Sequence, residues 1–282
     1  MHILFSMPVH ENNDVIRITI DNVRSYIQNF TIVLHVSETF ADFDWSIRDL
    51  PNVLINPIRQ QTLVWGNFLG IHLSNHRHAV ASGIKYSRFC ILHTTEMFVK
   101  HGLESSISNH SHALWYNRST MPRNTEWPQL QIATESGMFY GIFPNDSWYI
   151  GCQIEGTWYS IELMEKIYNL VSNKKPWMLS SKITWPLEEV AFPSLANFFS
   201  NDGEYGNPYC AYFLPDRPTS IDDVDNVIFD QPVKLWMPNG WLKPNPPILT
   251  SSVDKYSVKR IDRNSNDAVR QYIVNLPKTP PR

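Results

Sequence analysis

Three features of the sequence predict an α/β fold with a mostly parallel central sheet flanked by helices. Apolar runs alternate with helical stretches along the first hundred residues. The runs are apolar on both faces, and polar residues follow them at once. Strands buried on both faces belong to parallel sheets covered by helices, and ligands of such sheets sit beyond the carboxyl ends of the strands.

The elements follow in order. "HILFSMPV" reads as a first strand that delivers His10 and Glu11 to the sheet's rim. "NNDVIRITIDNVRSYIQNF" reads as a helix, with Asn13 or Asp14 as its N-cap and Val15, Ile18, Val23 and Ile27 on one face. "TIVLHVS" is a second strand, ending at Ser37–Glu38, and "NVLINP" a short third closed by Pro57. "NFLGIHLSNHRHAVASGI" is a helix, and "SRFCILHT" a fourth strand that leads to Thr94–Glu96. A loop or hairpin then precedes a helix from about Ser160, and "WPLEEVAFPSLANFF" gives a turn and another helix. Residues 203–250 hold eight prolines and predict loop-rich wrapping with little regular structure, before a locally basic end that closes in a short helix.

Composition narrows the function classes. With 43% hydrophobic and 18% charged residues the chain is globular, and its net charge of −3 argues against nucleic acid as a partner. Cys90, Cys152 and Cys210 lie far apart without a CxxC, as expected of free thiols in a reducing compartment. The opening apolar run lacks a basic n-region and a small-x-small cleavage site, and no run reaches the ~18 apolar residues of a transmembrane helix. The expectation is a cytoplasmic protein that begins at Met1, whose sequons at Asn29, Asn109, Asn117 and Asn145 go unused. Aromatics reach 13%, which serves either a well-filled core or the stacking of sugars and bases.

Candidate chemistry lies in carboxylates and cations. His72 and His76 have zinc-compatible i, i+4 spacing, but no HExxH and no third ligand accompany them. Walker and GxGxxG loops are absent. Glu188 and Glu189 sit in an apolar stretch, where a carboxylate serves either as a general base or as a favourable charge at a helix N-terminus. Glu96 follows the fourth strand without a second carboxylate, so no two-carboxylate metal site forms there. Lys255, Lys259, Arg260, Arg263 and Arg270 form a basic cluster that either stabilises an anionic leaving group or is a solvated face.

Taken in series, several segments resemble the core-2/I-branching N-acetylglucosaminyltransferase and peptide O-xylosyltransferase family. "SMPVHENNDVIRITIDNV…FTIVLHVS" is similar to its opening strand, His-rich turn and "HVD" strand, and "VWGNFLGIHLSN" to its Trp-Gly helix start. "YSRFCILHTTEMF", "GTWYSIELMEKIYNLV", "WPLEEVAFPSLANFF" and "YSVKRI" resemble later family segments in the same order. Ser37 and Glu96 stand where the family has Asp, and an extra residue after Pro186 leaves open which glutamate matches its base.

The resemblance implies one GT-A domain over residues 1–282. Its nucleotide-binding half would be 1–100 and its acceptor-binding half 101–250, with a basic segment at 251–282. It implies inverting, metal-independent transfer from a UDP-sugar, with no cofactor and no metal. Glu189 or Glu188 would be the base, and His10, Glu11, Ser37, Trp65, Lys259, Arg260 and Arg263 would bind the donor. Glu96 and Trp158 would meet the acceptor, although Trp158 also fits the core and His10 a helix cap. The implied partners are a nucleotide-sugar and a carbohydrate or glycolipid acceptor, with peripheral association at the inner membrane of a bacterium. A non-catalytic carbohydrate-binding protein, or a transferase using a CMP-sugar, are the alternatives.

Overall fold

The computed structural model describes residues 1–60, 67–115, 128–180, 182–201, 203–211, 217–235 and 248–277. The chain starts in β1 (Ile3–Val9), turns into α1 (Asn13–Tyr26), and returns as β2 (Phe30–Val36) parallel to β1. Strand β3 (Val53–Ile55) extends the sheet beyond β2, and after α2 (Leu69–Ala81) strand β4 (Arg88–Ile91) pairs parallel on the other side of β1. Strand β5 (Glu96–Phe98), α3 (Leu103–Ser106) and α4 (Pro128–Glu135) intervene before β6 (Trp158–Ser160), which closes the main sheet antiparallel to β4. The order is β3-β2-β1-β4-β6, so the sheet is mostly parallel.

Every residue of β1 and β2 is buried, and alternate residues serve opposite faces. Phe5, Met7, Ile32 and Leu34 pack on Ile16, Ile20 and Val23 of α1. Leu4, Val33, Phe89 and Ile91 pack on Leu69 and Leu73 of α2 and on the two helices after β6. These are α5 (Ile161–Lys174), capped by Ser160, and α6 (Glu188–Phe199). Each such side chain withdrawn from water contributes about 1.5–3 kcal/mol, so both helical layers are held by burial.

The last third adds β7 (Cys210–Ala211), α7 (Ile221–Ile228), β8 (Val233–Leu235), β9 (Ile248–Thr250), β10 (Ser257–Lys259) and α8 (Ala268–Val274). Strands β5, β10 and β7 form a small second sheet, and β8 pairs with β9.

Two expectations are corrected. Asn12, not Asn13 or Asp14, caps α1: its side chain accepts from Val15 N, because Asn12 takes the left-handed turn (φ 56°) that ends β1. Ile18 lies off the face that Ile16, Ile20, Val23 and Ile27 turn to the main core, and packs on the cluster that holds Val258 and Ile273. Residues 203–250 are also more regular than their prolines suggest. A reciprocal cap between Ser220 and Asp223 starts α7, and Pro218 and Pro232 fall just outside its ends. Pro215, Pro238, Pro244, Pro246 and Pro247 lie outside the described residues.

The three cysteines are buried and unbridged. Among the described residues no helix is long and apolar enough to cross a membrane.

Candidate active site

The polar residues predicted at the sheet's rim meet residues from the far end of the chain. After β1, Glu11 accepts a salt bridge from Arg263 Nη1 at 2.8 Å, and His10 Nε2 lies 3.3 Å from the same carboxylate oxygen. Asn12 ties the two segments together by donating from Nδ2 to the Arg263 carbonyl at 2.7 Å. Burial, and then the Arg263 charge, holds His10 below its usual range against the pull of Glu11. Ser37 is buried beside this group: its N–H donates to Val9 O, and its carbonyl accepts from Arg59 Nη2 at 2.6 Å. Arg59 also spans the carbonyls of Val36 and Phe40, a brace that sequence reasoning missed. Trp65 lies outside the described residues.

A second group forms where β10 ends. Lys259 is opposite Glu96 across the β5–β10 pair, and its Nζ lies 2.5 Å from Glu155 Oε1, both side chains only 11% exposed. Gln153 lies between Glu155 and Glu189. One end of its amide is 3.1 and 2.5 Å from the two Glu155 oxygens, and the other is 3.3 Å from Glu189 Oε1. The loop is held by Cys152 N–H donating to the Glu189 carbonyl, and by Gly156 (φ +68°), where a side chain would strike the Cys210 backbone. Neither Gln153 nor Glu155 was singled out from sequence. The available signal was a Gln-x-Glu pair on a loop that ends in glycine.

His93, just past β4, links the groups. The charges of Lys259, Arg263 and His10 all act on it and, after burial itself, hold its ring well below the ordinary histidine range. Its Nε2 is buried with no hydrogen-bond partner. Arg260 follows Lys259 in a left-handed conformation (φ 70°), and its Nε is also buried without a partner.

The adjacent glutamates differ. Glu188 accepts from Phe68 N–H at 2.9 Å and so caps α2, whose first turn has no side-chain cap of its own. Burial pushes the Glu188 carboxyl up to about 8, opposed by backbone N–H groups that include Phe68. Glu189 points its carboxyl to the Gln153 amide instead. Both stand in the first turn of α6, so the helix-terminus reading also holds for the pair.

The two acceptor candidates have no surface to offer. Glu96 is 0% exposed, with Oε1 taking a 2.6 Å hydrogen bond from Ser257, and burial pushes it up to about 7. Trp158 is 1% exposed in the core beside Ile107 and Tyr209, with the Arg88 guanidinium 5.5 Å from its ring centre. Strand β6 places Trp158 opposite Cys90, within the sheet and not beyond its carboxyl edge.

His72 and His76 turn into the core separately. His72 Nδ1 shares a 2.8 Å hydrogen bond with Ser6, and His76 Nδ1 lies 2.6 Å from Tyr86 Oη. Among the described residues no group of three or more His, Cys, Asp or Glu could hold a metal ion.

No protein-family model matches the chain, and no curated protein matches it. Among solved structures, the chain is similar to the apo form of the glycosyltransferase GlyE from Streptococcus pneumoniae TIGR4, with 11% identity and a TM-score of 0.37. The match covers 99% of this chain and 61% of that one, so the chain spans less than two thirds of its neighbour's length.

Proposed function

We propose that this protein is a metal-independent, inverting glycosyltransferase of GT-A type that moves a sugar from a UDP-sugar to a carbohydrate or glycolipid acceptor of a bacterial cell surface. The observation that supports this reading is the joining of a candidate base, Glu189, to a buried cation, Lys259, through Gln153 and Glu155 at the carboxyl edge of the sheet. In this reading Glu189 takes the proton of an acceptor hydroxyl as that oxygen attacks the anomeric carbon. The bond to the diphosphate breaks on the opposite face. Lys259, Arg260 and Arg263 receive the charge of the leaving group, a task that basic side chains can perform without a cation. His10, Glu11, Ser37 and Trp65 are assigned to the nucleoside.

An acceptor presented by the cytoplasmic leaflet agrees with a patch near the start of α2. Trp177 and Tyr140 are exposed there, and Lys175 Nζ donates to the Tyr140 carbonyl at 3.1 Å. Asn67, just before α2, joins this patch to the helix by donating to the carbonyls of Met178 and Ser180.

The test is turnover of a panel of UDP- and CMP-sugars by purified protein in EDTA. Glu189→Gln should lose roughly 10²–10³ in rate with nucleotide binding retained. Restoration of activity only by Mn²⁺ would refute metal independence. Sugar binding with no turnover and no nucleotide affinity would favour a carbohydrate-binding module.

A further inference from the structure

Arg270 belongs by sequence to the basic cluster near the end of the chain, yet it is 0% exposed. Helix α8 turns its guanidinium inward, and among the described residues that group donates to no carboxylate. Nε and Nη2 both donate to the Asp262 carbonyl, at 3.1 and 2.7 Å, and Nη2 also donates to the Thr94 carbonyl at 3.0 Å. Nη1 lies 3.6 Å from Met97 Sδ. Burial lowers Arg270 to about 10 against the pull of the Asp267 and Asp262 carboxylates, so it stays charged at neutral pH.

A buried cation without a hydrogen-bonded carboxylate is costly, and a residue needed only to fill this space would be apolar. The guanidinium supplies a planar fork that spans two backbone segments. Thr94 lies between β4 and β5, next to His93, and Asp262 immediately precedes Arg263. The same segments meet at Ile261, whose N–H donates to the Thr95 carbonyl at 3.1 Å. Past Arg263 the chain closes on α8 again. Asn264 N–H donates to Asp262 Oδ1, Gln271 Nε2 donates to the Ser265 carbonyl, and Asp267 accepts from Arg270 N–H as the helix cap. Arg263 therefore stands on a short loop fastened to α8 on both sides. From there its guanidinium reaches Glu11 at 2.8 Å, and its charge acts on His93.

We infer that Arg270 is a positioning residue for the donor: by holding Asp262 against Thr94 it sets the Arg263 guanidinium beside Glu11, where the diphosphate of a sugar nucleotide would meet it. This inference rests on the glycosyltransferase reading. Arg270 touches no substrate, since it is fully buried, and acts through Arg263. An arginine on a free loop loses backbone and side-chain freedom when it grips an anion, and a loop already pinned at the preceding residue gives up less.

Two measurements test this, and they fail separately from the functional reading. Lysine at 270 keeps the charge but offers a single nitrogen, so it cannot keep the fork's hold on both carbonyls. Arg270→Met fills the space with no donor and is measured beside it. In native-state amide hydrogen exchange, both variants should speed the Ile261 and Asn264 N–H groups at least about tenfold more than the amides of β1 and β2, which report global stability. An increase no larger than that of β1 and β2 overturns the tie, whether or not the protein binds nucleotide. The second measurement is UDP affinity by calorimetry well below the melting range. Arg270→Lys should weaken binding roughly three- to tenfold in the native background and less than about twofold in Arg263→Ala, because residues that act through one another are not additive. Equal losses in the two backgrounds overturn the positioning role. A native protein that binds neither UDP nor CMP, while its variants exchange as expected, overturns the glycosyltransferase reading and the donor role of Arg270, and leaves the tie itself standing.

Discussion

Removing Lys259 should unfold the protein more readily before it says anything about catalysis. Its ammonium and the Glu155 carboxylate are 2.5 Å apart and 11% exposed, so Lys259→Ala leaves the Glu155 carboxyl group buried without this partner. Breaking a buried pair from one side costs about 3–5 kcal/mol, whereas replacing both partners by apolar groups of similar volume is often neutral or stabilising. At about 2.1 cal/mol/K per residue, 282 residues give an unfolding entropy of about 0.6 kcal/mol/K. Lys259→Ala should therefore lower Tm by about 5–8 °C, and Lys259→Met with Glu155→Leu should recover most of that loss. Thermal unfolding followed by circular dichroism at pH 7 reads the first effect, and donor turnover well below the melting range reads the second. The double variant should fold like the native protein and still turn over roughly 10²–10³ times more slowly, because the cation facing the leaving group is gone. A single variant that melts within about 1 °C of native would show that the pair is not the buried contact described. A double variant as active as native would remove Lys259 from the mechanism.

Three further outcomes are expected. Glu188→Gln should stabilise the protein increasingly as pH rises: the folded carboxyl holds its proton up to about 8, against an ordinary value of 4.5, so native stability is complete below about 4.5 and declines through 8. Urea midpoints at pH 5 and 8 check this, since glutamine keeps a carbonyl for Phe68 N–H and a difference that does not grow with pH refutes it. Arg263→Ala should change Tm by no more than about 1–2 °C, because its pair with Glu11 is half exposed, but should weaken UDP binding measured by calorimetry; unchanged affinity would remove Arg263 from the donor site. Trp177→Ala and Lys175→Ala should each reduce sedimentation with anionic vesicles, the lysine by roughly fivefold for about 1 kcal/mol, and leave neutral vesicles unaffected; equal binding to both vesicle types would refute the patch.

The sequence reveals the fold wherever a single physical rule acts. Strands β1, β2 and β4 are legible because burial on both faces favours apolar runs, interrupted most deeply at Ser6 and His35, both 0% exposed, by a second requirement. Those two positions face α2, where Ser6 meets His72 and Asn75 in a buried polar layer that no local pattern announces. The start of α1 was ambiguous because Asn12, Asn13 and Asp14 are all capping residues. The strand's exit geometry decides between them, by requiring a left-handed residue at Asn12. Helix α7 was hidden among prolines, although Ser220 and Asp223 stand at capping-box spacing. The helix expected from about Ser160 opens there, and Trp158 belongs to a short strand before it that the sequence reading left as loop or hairpin.

The site divides along the same line. His10 and Glu11 were legible because the end of a buried strand places its next residues at the rim. Arg263 was legible only as one member of a basic cluster, since 252 positions separate it from Glu11 and chain geometry alone does not join them. Gln153 and Glu155 left no periodic signal, because an irregular loop obeys neither helix nor strand spacing. Their meaning exists only in contact with Lys259 and Glu189. Asn12 and Arg260 both hold left-handed backbone conformations, as Asn52, Asn201 and Asp230 do elsewhere, and side chains with a Cβ disfavour them at about 1–3 kcal/mol each. One follows β1 and the other follows β10, and Asn12 Nδ2 on the Arg263 carbonyl fastens the two turns together. Glycine would relieve both turns at no steric cost, but it would supply neither the Asn12 cap and clamp nor the Arg260 charge. A rim selected for stability alone would use glycine there. This one keeps the strain, and the Asn12 clamp holds the turn that carries Glu11 against the segment that carries Arg263.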